Sequence, residues 1–101
     1  EFQHRIPYLL EWLEDLNWPV AIHVAFLLRQ QEPAILRPYI SKVLQGTDPL
    51  WKYNCLSQIV FYWPKNHVEL LKLDLMKIAF YPSEDEKAEE TNLIAKDILK
   101  K

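Results

Sequence analysis

The sequence predicts an all-α fold of three stacked antiparallel helical hairpins, which together form a short α–α superhelix. Signals that begin a helix recur at near-constant spacing, because Asp15, Asp48 and Ser83 stand 33 (48 − 15) and 35 (83 − 48) positions apart. A second series, Pro33 and Asn66, lies between them with a step of 33 (66 − 33). Two interleaved series near a period of about 34 residues are typical of stacked helical hairpins. The single Gly also argues against an all-β chain rich in tight turns.

The first hairpin is expected over about residues 5–30. Its first helix covers about 6–15, with Pro7 in the first turn, where the absent N–H needs no partner. The second helix runs from Pro19 to about residue 30. Asn17 or Asp15 is the expected N-cap, since short polar side chains satisfy the free amides of a helix start.

The second hairpin is expected over about residues 33–63. The third helix runs over about 34–44, and Pro38 inside it is expected to delay its start or kink it. Gly46 then provides a C-terminal stop. The fourth helix runs over 49–62, capped by Asp48 and ended by Pro64.

The third hairpin is expected over about residues 66–100. The fifth helix runs over 67–80, and Asn66 with Glu69 three positions later resembles a capping box. The sixth helix opens at Ser83, where Ser83 and Glu86 form a second capping box. Acidic residues lie at the start of this helix and lysines lie at its end. Negative charge at the N-terminus and positive charge at the C-terminus both interact favourably with the helix dipole.

The apolar positions of these helices predict the core, because they recur at helical spacing. Nine residues are expected to be buried: Leu10, Leu13, Val24, Leu28, Val43, Ile59, Met76, Ile94 and Ile98. The fifth helix is expected to turn a broad apolar face inward, made of Leu70, Leu73, Met76, Ile78 and Ala79.

Composition indicates a single domain over residues 1–101 and excludes several classes of function. Twelve basic and fourteen acidic residues give a net charge of −2, so nucleic acid is not an expected partner. A single Cys suits a reducing compartment and favours a cytoplasmic protein. No apolar run approaches the roughly 18–20 residues of a membrane span, so no membrane association is expected.

The chain carries no recognisable catalytic or cofactor motif, so we expect neither an enzyme nor a bound cofactor. His4, His23 and His67 show no paired spacing, and zinc sites normally do, so no metal ligands are predicted. Cys55 lies on the apolar stripe of the fourth helix and is expected to be an inert buried thiol.

Two stretches carry a resemblance to a known family. These are residues 10–21, which read LEWLEDLNWPVA, and residues 48–53, which read DPLWKY. They resemble a small, mainly bacterial family catalogued as a domain of unknown function, over roughly residues 6–99. The resemblance implies a short HEAT-like stack of helices and supplies no functional residues. By analogy, it also makes a partner-binding or toxin-neutralising protein plausible.

Stacked hairpins expose a continuous face formed by one helix of each pair, which suits a protein or peptide partner. We therefore expect a non-catalytic interaction module, in its narrower form an immunity- or inhibitor-type protein. The alternative is a HEAT-like nucleic-acid-binding protein. The candidate partner-binding residues lie on or before the even-numbered helices: Asp15, Asn17, Trp18, Lys52, Tyr53, Glu84, Glu86 and Glu90.

Each candidate also has a purely structural interpretation. Asp15 and Asn17 can cap a helix while Trp18 packs over the turn. The acidic residues after Ser83 can be a solvated helix start. Trp51 fits the inward stripe of the fourth helix, whereas Lys52 and Tyr53 point elsewhere on that helix and are expected at the surface.

Overall fold

Helices account for most of residues 2–101, the part of the chain that the computed structural model describes, and no β-strand occurs there. The α-helices in chain order are α1 (Ile6–Glu11), α2 (Pro19–Arg29), α3 (Pro33–Leu44), α4 (Pro49–Gln58), α5 (Lys65–Val68), α6 (Lys72–Phe80), α7 (Glu84–Ala88) and α8 (Thr91–Leu99). Short 3-10 helices precede, extend or join them at Phe2–Arg5, Trp12–Glu14, Val60–Tyr62 and Glu69–Leu71. The predicted all-α class is confirmed, and the arrangement is compatible with a short superhelix. None of the helices in this range is both long and apolar enough to cross a membrane.

Proline sets the start of three consecutive helices. Trp18, Glu32 and Asp48 each have an extended backbone, and each is followed by the proline that begins α2, α3 or α4. A residue before proline is driven out of the α region, while proline itself fits the first helical turn. Pro38 does not end α3, which continues to Leu44.

The fourth and fifth predicted helices are shorter or more divided than expected. The fourth ends at Gln58 and passes into a 3-10 helix, and the fifth is divided into α5, a 3-10 helix and α6. The capping box predicted at Asn66 is wrong, because α5 begins at Lys65, two residues before the predicted start, so Asn66 lies inside the helix. Its N-cap is Pro64, which provides no side-chain hydrogen bond. By contrast, Asp48 caps α4 as predicted, accepting a bond from the Trp51 N–H at 3.0 Å.

The sixth predicted helix is divided into α7 and α8 at Glu90, which has a left-handed backbone with φ 60°. Left-handed φ is unfavourable for a residue with a Cβ, so tertiary contacts must hold it. Glu86 in α7 is tied to Lys52 of α4, and Thr91 Oγ1 at the start of α8 donates to the Pro49 carbonyl at 2.9 Å. These two contacts with α4 lie on either side of Glu90, where the chain changes direction between α7 and α8.

The hydrophobic core lies between the helical pairs and confirms most of the predicted buried residues. Leu10, Leu13, Val24, Leu28, Val43, Ile59 and Ile98 are buried. Ile94 is half-buried and packs against the core. Met76 is exposed, and so are Leu70 and Leu73, the last 83% accessible. Ile78 and Ala79 of the predicted face of the fifth helix are buried as expected. The other part of that face is wrong, because a 3-10 helix precedes α6 and shifts the register, so that Leu71 and Leu75 are buried in place of Leu70, Leu73 and Met76.

Hydrogen bonds join α4 to the first helical segment. Its Trp51 Nε1–H donates to the Leu10 carbonyl at 2.8 Å, and Asn54 Nδ2 donates to the Leu13 carbonyl at 2.7 Å. The Leu10 carbonyl lies in the last turn of α1, and the Leu13 carbonyl lies in the 3-10 helix that follows it. These bonds lock the first helical segment against α4 and so fix the outer surface of α1.

Candidate functional site

Two of the predicted site residues, Asp15 and Trp18, line an open cleft beside the turn between α1 and α2. The cleft is open to solvent and has a volume of about 460 Å³. Its lining residues are Tyr8, Glu11, Trp12, Glu14, Asp15 and Trp18. We name this surface the aromatic–acidic cleft.

Helical spacing places the cleft residues on the outer side of the first helical segment. Glu11 and Trp12 follow Tyr8 by three and four positions, so both lie on the same face of the segment as Tyr8, and Asp15 follows where the helical segment ends. The other face is set by Ile6, Leu10 and Leu13, all buried in the core. The core thus holds the segment in place, and the aromatic side chains are turned outward as a consequence.

The three aromatic residues of the cleft are strongly exposed. Tyr8 is 70%, Trp12 43% and Trp18 60% accessible. Isolated exposed apolar residues are ordinary on a protein surface, but three large rings around one concavity are not. This clustering separates the aromatic–acidic cleft from a solvated helix face.

The acidic residues of the cleft remain available to a ligand. Glu11, Glu14 and Asp15 are exposed, and none of them forms an ion pair with another residue in the range 2–101. Asp15 Oδ1 accepts a hydrogen bond from the Asn17 N–H at 2.9 Å, which stabilises the turn. Neither Asp15 nor Asn17 caps α2, because the N-cap residue is Trp18. Asn17 does not line the cleft.

Lys52 and Glu86 are buried against each other, so the expectation that Lys52 lies at the surface is wrong. The Lys52 Nζ is 2.7 Å from Glu86 Oε2, and the two side chains are only 8% and 9% accessible. Charged residues are rarely buried unless they are paired. The pair tightens the fold between α4 and α7 and offers neither charge to a partner. Tyr53, its neighbour in sequence, is half-buried.

Glu86 also completes the predicted capping box of α7. Its Oε1 accepts a bond from the Ser83 N–H at 2.8 Å, and the Ser83 hydroxyl accepts one from the Glu86 N–H at 3.1 Å. Burial by itself raises the pKa of the Glu86 carboxyl. Hydrogen bonds from Lys52 and Ser83, with the positive charge of Lys52, outweigh burial and hold the pKa below its ordinary value.

The remaining acidic candidates lie apart from the cleft lining. Glu84 is exposed and pairs with Lys87 at 3.1 Å, and Glu90 is the left-handed residue between α7 and α8. Only Asp15 and Trp18 of the eight predicted residues therefore line the aromatic–acidic cleft. Tyr8, Glu11, Trp12 and Glu14 were missed. The signal that could have found them is the aromatic and acidic face opposite the leucine stripe of the first helix.

A second group of exposed aromatics is covered by the chain's own cations. The Arg29 guanidinium carbon lies 4.9 Å from the ring centroid of Tyr62 and 6.0 Å from that of Phe26. The Lys101 Nζ lies 4.3 Å from the ring centroid of Phe61. Arg29 also donates to the Gln58 carbonyl at 2.8 Å, which fixes its position.

A smaller hollow of about 300 Å³ lies on the other side of Glu11, which borders both spaces. Its walls are mainly apolar and include Pro7, Tyr39, Val43 and Trp51. Val43 is buried, while Tyr39 and Trp51 pack against the core. This hollow is thus bounded mostly by side chains that already have structural partners.

Cys55 is buried, as predicted. Burial, with a smaller effect from the charge of Asp48, raises the pKa of its thiol far above the usual value. A thiol in this state is a poor nucleophile, because the thiolate is the reactive form. Across residues 2–101, no three His, Cys, Asp or Glu side chains form a group suited to a metal ion.

The short helices and the exposed aromatic–acidic cleft define a small all-α protein. The chain belongs to the family described as "Domain of unknown function (DUF5071)", whose model matches residues 1–99. This match confirms that the chain belongs to a family of unknown function, while the HEAT-like repeat and the signature in residues 10–21 stay predictions. Neither a search of curated proteins nor a search of solved structures found a significant match.

Proposed function

We propose that this protein is a non-catalytic protein-binding module whose partner docks in the aromatic–acidic cleft. The observation that carries the proposal is the exposure of Tyr8, Trp12 and Trp18 around one concave space. Trp and Tyr dominate the binding energy of protein interfaces because they provide large, stiff contact areas. Leaving three such rings in water is unfavourable, and a docked partner removes that cost.

The scaffold supports this proposal because hydrogen bonds from α4 hold the backbone segment that carries Tyr8 and Trp12. Trp51 and Asn54 of α4 hold the carbonyls of Leu10 and Leu13 through hydrogen bonds of 2.8 Å and 2.7 Å. A surface held in its bound shape loses less conformational entropy when a partner docks. In this proposal the three helical pairs act as a short HEAT-like stack with the cleft at one end.

The narrower form of the proposal is an inhibitor- or immunity-type protein in the cytoplasm of a bacterium. An open, non-catalytic surface suits a protein that acts by covering its partner. The carboxylates of the cleft lie open to solvent, whereas acid–base catalysis uses groups in water-excluding pockets. Binding rather than chemistry is therefore the function that this surface suits.

Nucleic acid is the second candidate, and the same aromatic rings are the observation that favours it. Proteins that bind single strands stack bases on exposed aromatics, but they do so in a positively charged groove. The aromatic–acidic cleft is lined by three carboxylates instead. Repulsion of phosphate by these groups makes a protein partner the better proposal.

Affinity capture with matched variants tests the proposed function. The tagged parent, Trp12→Ala, Trp18→Ala and Tyr81→Ala proteins are used to capture partners from lysate of the native host. Tyr81 is the control, because it is 82% accessible and does not line the cleft. Circular dichroism and thermal melting first establish that each variant is folded.

A partner should be retained by the parent and by Tyr81→Ala. Trp12→Ala or Trp18→Ala should lower the affinity for that partner by about tenfold or more, so that it is no longer captured. Equal retention by all four proteins would move the interface away from the cleft. Retention of nucleic acid with steep salt dependence would favour the second candidate.

A further inference from the structure

We infer that the partner segment bound in the aromatic–acidic cleft is basic and presents an arginine side chain to the rings. This inference rests on the proposed function and adds the chemistry of the partner. The carrying observation is that the cleft combines exposed rings with carboxylates unpaired in the described part of the chain, whereas another group of exposed aromatics, Phe26, Phe61 and Tyr62, has cations over its rings.

The first group already has cations over its rings. Arg29 lies over Phe26 and Tyr62, and Lys101 lies over Phe61, with distances to the ring centroids of 4.3 to 6.0 Å. Cations within about 6 Å of an aromatic ring centroid are attracted by the negative ring face. In this group, the chain satisfies its exposed rings internally.

The cleft lacks such a cation from residues 2–101. No Lys or Arg in that range lies over Tyr8, Trp12 or Trp18, and the cleft carboxylates form no ion pair there. All six lining residues are aromatic or acidic. The cleft therefore combines the two features that attract a cation, ring faces and negative charge, and leaves both for an outside group.

Arginine fits this combination better than lysine does. Its planar guanidinium stacks on aromatic faces and bonds carboxylates through a rigid fork of donors. It is also less strongly hydrated than an ammonium group, so it enters a partly dry cleft at a lower cost. A long apolar stem can lie along the rings while the charged head reaches a carboxylate.

Charge argues against two other occupants. Two copies of this chain docked cleft to cleft would bring three carboxylates against three, in a protein whose net charge is already −2. A single-stranded nucleic acid would bring phosphates against the same carboxylates. Like charges placed opposite each other across an interface are unfavourable, so both occupants serve as outcomes of the test.

The test follows the four indole N–H signals of the protein by two-dimensional ¹H–¹⁵N NMR. Trp12 and Trp18 line the cleft, whereas Trp51 is bonded to the Leu10 carbonyl and Trp63 is buried. The probes are acetyl-Ala-Arg-Ala-Arg-Ala-amide and the same peptide with citrulline, the neutral isostere, in place of arginine. An oligothymidylate of ten nucleotides is a third probe, and a protein dilution series without any probe is the fourth arm.

The arginine peptide should shift the indole signals of Trp12 and Trp18 saturably and leave that of Trp63 unchanged. The citrulline peptide should bind at least about fivefold more weakly. In Glu11→Gln/Glu14→Gln protein, the arginine peptide should lose about fivefold in affinity. In the matched control Glu89→Gln, an exposed acid outside the cleft, its affinity should not change.

Equal binding of both peptides would overturn the cation inference and leave the proposed function standing. No shift with either peptide would also overturn it, and the affinity capture would then judge the proposed function by itself. Shifts of Trp12 and Trp18 with the oligonucleotide but not the peptide would make the cleft a base-stacking surface. Shifts on dilution alone would make it a self-association surface.

Discussion

Lys52 Nζ lies 2.7 Å from Glu86 Oε2, so two residues 34 positions apart form a buried ion pair that ties α4 to α7. The same carboxylate group caps α7 through Ser83. One side chain therefore serves both the tertiary contact and the local helix start. This relationship explains why two residues that look like surface charges in the sequence belong to the interior.

Removing one member of this pair should be strongly destabilising. Lys52→Met leaves the Glu86 carboxylate buried without its cation, and the expected loss in free energy of unfolding is about 3 kcal/mol. Urea denaturation measures it. Lys87→Met is the control, since Lys87 forms an exposed pair with Glu84, and its effect should stay below about 0.5 kcal/mol. Equal effects would mean that the Lys52 pair is solvated in solution.

The pair should also make the free energy of unfolding depend on pH in the acidic range. The pKa of Glu86 is lower in the folded protein than its ordinary value, so the unfolded state binds more protons as the pH falls. The stabilisation is complete above the ordinary pKa of about 4.3 and is lost as the pH falls through the folded-state value.

Denaturation of the parent and of Glu86→Gln at a series of pH values measures this dependence. The parent should lose stability more steeply than the variant below about pH 4.3, and the gap between them should narrow. Parallel curves would show that the carboxyl titrates alike in the folded and unfolded states.

Capping distinguishes Asp48 from Asn66, two residues that look equivalent in the sequence. Asp48 accepts a bond from the Trp51 N–H, whereas Asn66 is exposed and caps nothing in the structure. Asp48→Ala should cost about 1 kcal/mol, and Asn66→Ala should stay within about 0.5 kcal/mol of the parent. Thermal melting of both variants measures the difference, and a larger loss at Asn66 would contradict the start of α5.

Core packing similarly separates Ile59 from Met76, both predicted to be buried. Ile59 is fully buried and Met76 is exposed. Ile59→Ala should therefore cost about 2–5 kcal/mol, and Met76→Ala less than about 1 kcal/mol. Chemical denaturation measures both losses. A large loss at Met76 would restore the face of the fifth helix expected from its sequence.

The elements set by local chemistry could be predicted from the sequence, while those set by tertiary contacts could not. X-Pro steps act over a few residues, so the starts of α2, α3 and α4 follow from the sequence, and a short polar side chain adds a cap only at Asp48. The division at Glu90 depends on contacts of Glu86 and Thr91 with α4, which no local pattern reveals.

The candidate site shows the same division. The sequence predicts a partner-binding role for Asp15 and Trp18, but it gives no sign that Tyr8 and Trp12 lie on the same surface. They become part of one surface only because Leu10 and Leu13 are buried and turn the opposite face of the helix outward. The burial of Lys52 could not be predicted, since its partner is distant in sequence.

Site-specific photo-crosslinking in cells of the native host determines directly whether a partner protein docks in the aromatic–acidic cleft. Benzoylphenylalanine replaces Trp18 in one protein and Tyr81 in the control, both exposed aromatic positions. A discrete crosslinked protein is expected from position 18, and little or none from position 81. Crosslinks from position 81 alone would contradict binding in the cleft and would place the interface near the C-terminal end of α6.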